Sequence, residues 1–303
     1  MKKTTLPVVR APYEPPVGLE RCSGDEPLHD YILKPYEPLT PHDGMLRSVN
    51  LLYASFAEAG VETEGREVVS RLRDTLGPFR TVWGIKHDAL SGALRGWELY
   101  FYDWTRTHAD LQIAPVCDAL SELLSIRAVE PRPLPWHMFS IDFGVDALRS
   151  GSSPDDAAAN EASVHVYIDM RSYALHGPQL TFQNIYTFHD PRVEIDDVMA
   201  RIRASVHVDL ATEPLARLLP PELFGCHKMC VANKRDGDAF YFSRVPTRSL
   251  LRFLREQDYP ESLSGLIERE TPGLAHLLWD VGLDFTATPE GARVRRSGVY
   301  GSF

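Results

Sequence analysis

Glu98, Tyr100 and Tyr102 stand at alternate positions of the run Trp97-Glu-Leu-Tyr-Phe-Tyr102. In an extended strand they share one face, and Trp97, Leu99 and Phe101 share the other. If the first face lines a cavity, its carboxylate among phenols is a candidate general base. The pattern recurs. Ser140 and Asp142 oppose Phe139, Ile141 and Phe143; His165, Tyr167 and Asp169 oppose Val164, Val166 and Ile168. Near the C-terminus Arg296, Gly298 and Tyr300 share a face, and Gly298 leaves room for a ligand beside a cation and a phenol. Lys228 alternates with Cys226 and Cys230. Strands of this kind have one covered side and one side that meets water or a ligand.

Other motifs carry less. Cys226-His227-x-x-Cys230 lacks the C-x-x-C spacing of a metal site, and in a strand His227 faces away from both thiols. The four cysteines, Cys22, Cys117, Cys226 and Cys230, read as free buried thiols. Asp155-Asp156 and Asp196-Asp197 lack the third aspartate of an aspartate-rich diphosphate helix and read as loop or helix-start charges. Phosphate-loop, dinucleotide, zinc-protease and esterase signatures are absent, which argues against the usual forms of those chemistries.

The whole chain sets the frame. Its 303 residues suffice to bury a full core, with 44% hydrophobic and 24% charged residues as in ordinary globular proteins. A formal charge of −10 argues against nucleic-acid or anionic-membrane partners. No apolar run approaches ~18 residues, and the N-terminus lacks a signal-peptide core, so the expected location is cytoplasmic. The expected state is a monomer or a weak homo-oligomer.

The elements that must position the polar faces follow in order. Residues 1–41 are proline-rich and read as an extended arm packed on the surface through Tyr13, Tyr31 and Tyr36; residues 42–303 read as one domain. Helices are expected at about 45–59, 64–76, 115–126, 193–204, 210–218, from Pro246 to Leu254, from Pro260, and at about 273–279. Strands are expected at about 80–86, 97–102, 136–143, 163–169, 179–188, 226–232, 239–243, 281–286 and 294–300. An exposed loop is expected at 151–159, and Asn233–Gly237 reads as a hairpin connection. Short loops within strand pairs make the sheet antiparallel, in roughly repeated ααββ units. The fold class is therefore α+β: a closed antiparallel barrel of nine to ten strands, surrounded by a ring of single-striped helices and holding a polar-aromatic lumen. An open sheet with helices on one face is the alternative.

This arrangement resembles the soluble aromatic prenyltransferases of the ABBA type, a family of ten-stranded antiparallel barrels ringed by helices. Met138-Phe-Ser-Ile-Asp-Phe143 looks like a family strand in which an aspartate helps hold Mg²⁺. Phe240-Tyr-Phe-Ser243 is similar to an inner strand with a pocket tyrosine, and Arg296-Ser-Gly-Val-Tyr300 to the last strand. His165 falls where many members carry a diphosphate lysine, and nine strands are read rather than ten.

The resemblance implies transfer of an allylic prenyl group from its diphosphate, the co-substrate, to an aromatic or other nucleophilic small molecule or peptide. The diphosphate needs cationic and hydroxyl donors. Candidates are Lys86, Lys228, Arg296, Tyr167, Tyr241, Tyr300 and His165. The allylic cation needs aromatic faces and exclusion of water. Tyr100, Tyr102 and Trp97 are candidates for the acceptor pocket, although Trp83, Trp97 and Trp136 fit a core equally. Glu98 is the candidate base, and Asp142 the candidate Mg²⁺ ligand. A solvated Glu98, an exposed Lys86 and a structural Asp142–His165 pair are the plainer readings. The alternative function is a non-catalytic small-molecule-binding or biosynthetic accessory protein on a similar barrel.

Overall fold

A computed structural model describes residues 16–105, 111–127, 135–150, 161–208, 218–289 and 291–303. The expected loop at 151–159, most of the expected helix at 210–218, and Tyr13 lie outside the described residues. Helices α1 (Val49–Glu58) and α2 (Glu62–Leu76) come first, followed by β1 (Thr81–Asp88) and β2 (Ala93–Tyr102). Then come α3 (Ile113–Leu120), β3 (Met138–Gly144), α4 (Val145–Ser150), β4 (Ser163–Ile168), β5 (Arg171–His176), β6 (Gln179–His189) and α5 (Ile195–Arg203). The chain ends with β7 (Met229–Lys234), β8 (Gly237–Pro246), α6 (Thr247–Glu256), α7 (Glu261–Arg269), α8 (Thr271–Leu274), β9 (Leu278–Thr288) and β10 (Gly291–Ser302).

The ten strands close into one antiparallel barrel, each paired with its sequence neighbour and β1 pairing β10. Closure leaves no sheet edge exposed. The strand missing from the sequence reading is β5, joined to β4 and β6 by two-residue turns. It gives Gln179–His189 the partner it lacked on one side, and β7 supplies the other. The order of described elements departs from a regular ααββ repeat: β3 stands alone between helices, and β4, β5 and β6 run without one. The expected helix at 273–279 stops at Leu274, because Leu278 already begins β9.

The apolar stripes pack as their spacing predicts. Leu52 and Phe56 of α1 and Val68, Val69 and Leu72 of α2 are buried in the same core as Trp83, Trp97, Phe139 and Phe240 on the barrel's outer face. Gly60 (φ 71°) ends α1 in the left-handed region, where a side chain would be strained. On α5, Val198 and Ile202 are buried but Ile195 is exposed. Among the described residues no helix is long and apolar enough to cross a membrane.

Candidate active site in the barrel lumen

Register brings the polar faces together. Glu98 lies opposite Asp142 on β3 and opposite Gly84 on β1; Tyr100 lies opposite Ser140, and Ser140 opposite His165. Across the seam, Lys86 is opposite Gly298 and Gly84 opposite Tyr300. Alternation then turns all these side chains into the lumen. Lys86, Glu98, Asp142, His165, Tyr167, Tyr241, Arg296 and Tyr300 line one cavity of about 280 Å³.

The charged end of this cavity is built around Lys86. Its Nζ is 2.8 Å from Asp142 Oδ2 and also pairs with Glu98. Burial works against the Lys86 charge, but Asp142 and Glu98 outweigh it and hold its pKa above the usual value. Burial, with Asp142 nearby, raises Glu98 against the pull of Lys86. Burial opposes ionisation of Asp142 too, yet Lys86 and then His165 outweigh it and keep that carboxyl below its ordinary range. His165 Nε2 stands 3.9 Å from Asp142, and burial lowers its pKa, so it is a neutral imidazole at pH 7. Tyr100 donates its hydroxyl hydrogen to Glu98.

A second cation was not singled out by sequence. Lys234 Nζ is 2.7 Å from Asp284 and 3.2 Å from the Tyr241 hydroxyl. Each ammonium thus spends two of its three donors and keeps one. Arg296 has no ion-pair partner among the described residues, although it lines the same cavity.

Five tyrosines separate this charged end from an apolar one. Tyr100, Tyr167, Tyr186, Tyr241 and Tyr300 line both the charged cavity and a second pocket, continued by Tyr31, Tyr102, Met138 and Cys230. Tyr300 meets Tyr100 and Tyr241 at 6.2 and 6.0 Å between ring centroids. Burial raises the pKa of all five phenols, so they remain hydroxyl donors. The space beside Gly298 is not open: a Cβ there would lie 2.7 Å from the Tyr300 hydroxyl. The tyrosine's own ring takes the room that the glycine leaves.

Two expected site residues lie elsewhere. Trp97 belongs to the outer core, not to an acceptor pocket. Its indole N–H donates to Ser55 Oγ at 2.8 Å, and its ring meets Phe56 at 4.7 Å. Strand alternation puts it on the face opposite Glu98 and Tyr100. Lys228 has the right parity but precedes β7, whose other end carries Lys234; six residues of strand span roughly 20 Å. It lines neither lumenal pocket; its backbone N–H donates to the Ser243 hydroxyl, which donates in turn to the Lys228 carbonyl.

The donor set does not suit Mg²⁺ at Asp142. The ammonium of Lys86 occupies the position between Asp142 and Glu98 that a divalent ion would take. Among the described residues no three His, Cys, Asp or Glu side chains group to hold a metal.

Lys234 was hidden because Asn233–Gly237 reads as a turn, whereas the turn proper is only Arg235-Asp236. Its parity with Cys230 would have pointed it inward. Asp284 and Tyr186 lie on expected strands, and alternation with Gly282 and with Asn184 was the available signal. No protein-family description matches the chain, and no curated protein is similar enough in sequence to count as a relative.

Proposed function

We propose that the chain is a prenyltransferase that joins an allylic group, delivered as its diphosphate, to an aromatic or other nucleophilic acceptor. The observation that carries this reading is the division of one lumen. Basic and acidic side chains gather at one end, an apolar pocket lies at the other, and a layer of five phenols lines both.

The diphosphate would sit at the charged end, against the Arg296 guanidinium and the remaining donors of Lys86 and Lys234. The allylic C–O bond breaks and diphosphate leaves with the electron pair. The tyrosine faces stabilise the allylic cation and exclude water that would quench it. The acceptor, lying towards Tyr102 and Met138, forms the new bond to the allylic carbon. Its displaced proton passes to Glu98, directly or through the Tyr100 hydroxyl. Lys86 draws Glu98 towards its carboxylate form against the upward push of burial, and the raised carboxyl suits a group that takes up a proton. The proposed chemistry requires no metal ion.

A non-catalytic binding role is favoured by one observation. Five basic side chains line the charged cavity (Lys86, Lys234, Arg235, Arg295, Arg296), and five carboxylates balance them (Glu98, Asp142, Asp236, Asp238, Asp284). Incubation with dimethylallyl and geranyl diphosphates and a panel of aromatic acceptors, read by mass, separates the two. Prenyl transfer predicts acceptor products one prenyl group heavier, lost in Glu98→Gln and Arg296→Ala. Stabilisation of the melt by neutral aromatic compounds, with no response to either diphosphate, would leave the binding role standing.

A further inference from the structure

The arm preceding the barrel does more than cover its surface. Residues 28–36 fold into a tight turn, with Leu33 in the left-handed region (φ 55°) and the Tyr36 N–H donating to the Leu28 carbonyl. The Asp30 carboxylate closes the turn by accepting the N–H groups of Ile32 and Lys34, and pairs with Arg244 at 2.8 Å. Asp280, at the start of β9, accepts the N–H groups of Tyr31 and Arg244 through its two oxygens. The Tyr102 hydroxyl donates to the Tyr31 carbonyl, and the Trp104 indole to that of Ile32. The backbone on either side of the Tyr31 ring is therefore held by three strands, β2, β8 and β9, and by Trp104 just after β2.

That ring lies inside the barrel's apolar end, with centroids 6.3 Å from Tyr241 and 6.1 Å from Tyr300. Four of the surrounding hydroxyls have named partners. Tyr100 bonds Glu98, Tyr102 bonds the arm, Tyr186 accepts from Asn184, and Tyr241 accepts from Lys234. The Tyr31 hydroxyl is buried and has no partner of good hydrogen-bond geometry among the described residues. The thiol of Cys230 beside it is a weak acceptor. A buried hydroxyl left unpaired is costly, and a ligand that supplies a partner recovers that cost.

We propose that Tyr31 is a specificity residue of the lumen, selecting aromatic ligands that carry a polar ring substituent within reach of its hydroxyl. The inference rests on the reading of this apolar end as an aromatic acceptor's pocket. It adds that the pocket's end wall comes from the N-terminal arm, and that an unsubstituted ring is discriminated against there.

Phenol and toluene test it, as rings of similar size with and without a hydroxyl. Titrated into the full chain and followed by calorimetry, phenol is expected to bind about tenfold more tightly than toluene. Tyr31→Phe retains the ring and the backbone bonds that fix the turn. It is expected to abolish the preference and leave toluene affinity unchanged, while the melting temperature holds or rises because a buried hydroxyl without a good partner is removed. A phenol preference that persists in Tyr31→Phe, or a native chain that binds neither ring, overturns the proposal. Dimethylallyl diphosphate, titrated separately, should stabilise the native chain and the variant equally. Its failure to bind the native chain would defeat prenyl transfer and leave the phenol result standing.

Discussion

Trp97 and Glu98 are consecutive residues of one strand, yet they belong to two differently built regions. Trp97 has no exposed surface and is held by ring contacts with Phe56 and Phe143 and a single hydrogen bond to Ser55. Glu98, one residue on, is held by Lys86 and Tyr100. The outer face of the barrel is stabilised by filled volume, and removing a side chain there leaves a cavity. The lumen is stabilised by matched charges and hydroxyls, and removing one leaves its partner unsatisfied. The first kind of wall tolerates no lost volume. The second tolerates a neutral exchange if both members change together, and that makes it suitable for a site.

The strongest challenge to this contrast is Trp97→Ala, expected to lower unfolding free energy in urea by about 4 kcal/mol. Diphosphate affinity should be unchanged in the fraction that remains folded. Lys86→Met comes next. It leaves Glu98 and Asp142 buried opposite one another, at a cost of about 3 kcal/mol. Adding Asp142→Asn should recover much of that loss, since one carboxylate then has no like charge facing it. Recovery of stability without recovery of diphosphate binding separates the lysine's structural part from its proposed role.

The same contrast explains what was legible in the sequence. Strand alternation gave both faces of β2, β3 and β4, because a period of two is a local property. It therefore located Glu98, Asp142, His165 and Tyr167 on the lumenal side. Closure is not local. That Lys86 meets Gly298, or that Arg296 shares a cavity with Asp142, depends on β1 pairing β10 across more than 200 residues of chain. The strand β5 was missed because Arg171-Ser-Tyr-Ala-Leu-His176 lacks the clean apolar–polar alternation of β2, β3 and β4 and lies between tight turns. Lys228 shows the limit of parity: it gives the face a residue points to, but not its height along the barrel. The arm's turn depends on Asp280 and Arg244, over 200 residues away, and no local pattern announces it.

Acid probes the wall outside the lumen through one buried histidine. His276 has no exposed surface and lies 3.5 Å from the Cys22 sulfur, outside the lumen. Burial, reinforced by His42, pushes its pKa down to about 4 despite Glu26. The unfolded chain takes up this proton near the usual imidazole value of about 6.5, the folded chain only near 4. Between those values the unfolded state binds more protons, so stability falls as pH drops through that window and levels off below it. The expected loss is on the order of 3 kcal/mol. Melting temperatures across pH 7 to 4 should flatten in His276→Gln. A slope that survives that change would move the sensitive group elsewhere.

Gly282→Ala is the smallest perturbation and the most local test of how the lumen is filled. Gly282 lies opposite Tyr241 on β8, and a Cβ added to it would stand 2.6 Å from Tyr241 Cδ1. Its φ lies outside the left-handed region, so the cost is steric and not conformational. The Tyr241 ring must tilt away, which also strains its contacts with Lys234 and Tyr300. A loss of about 1–2 kcal/mol is expected, in the range of modest overpacking. In a Tyr241→Ala background the same Gly282→Ala change should cost nearly nothing, because the ring it meets is gone. A double-mutant cycle measured by denaturant melts would then show a coupling energy about equal to the single-mutant loss. Independent effects would mean that the glycine serves the backbone and not the tyrosine layer. The division of the lumen into a charged and an apolar end would then no longer depend on the tight seating of that ring.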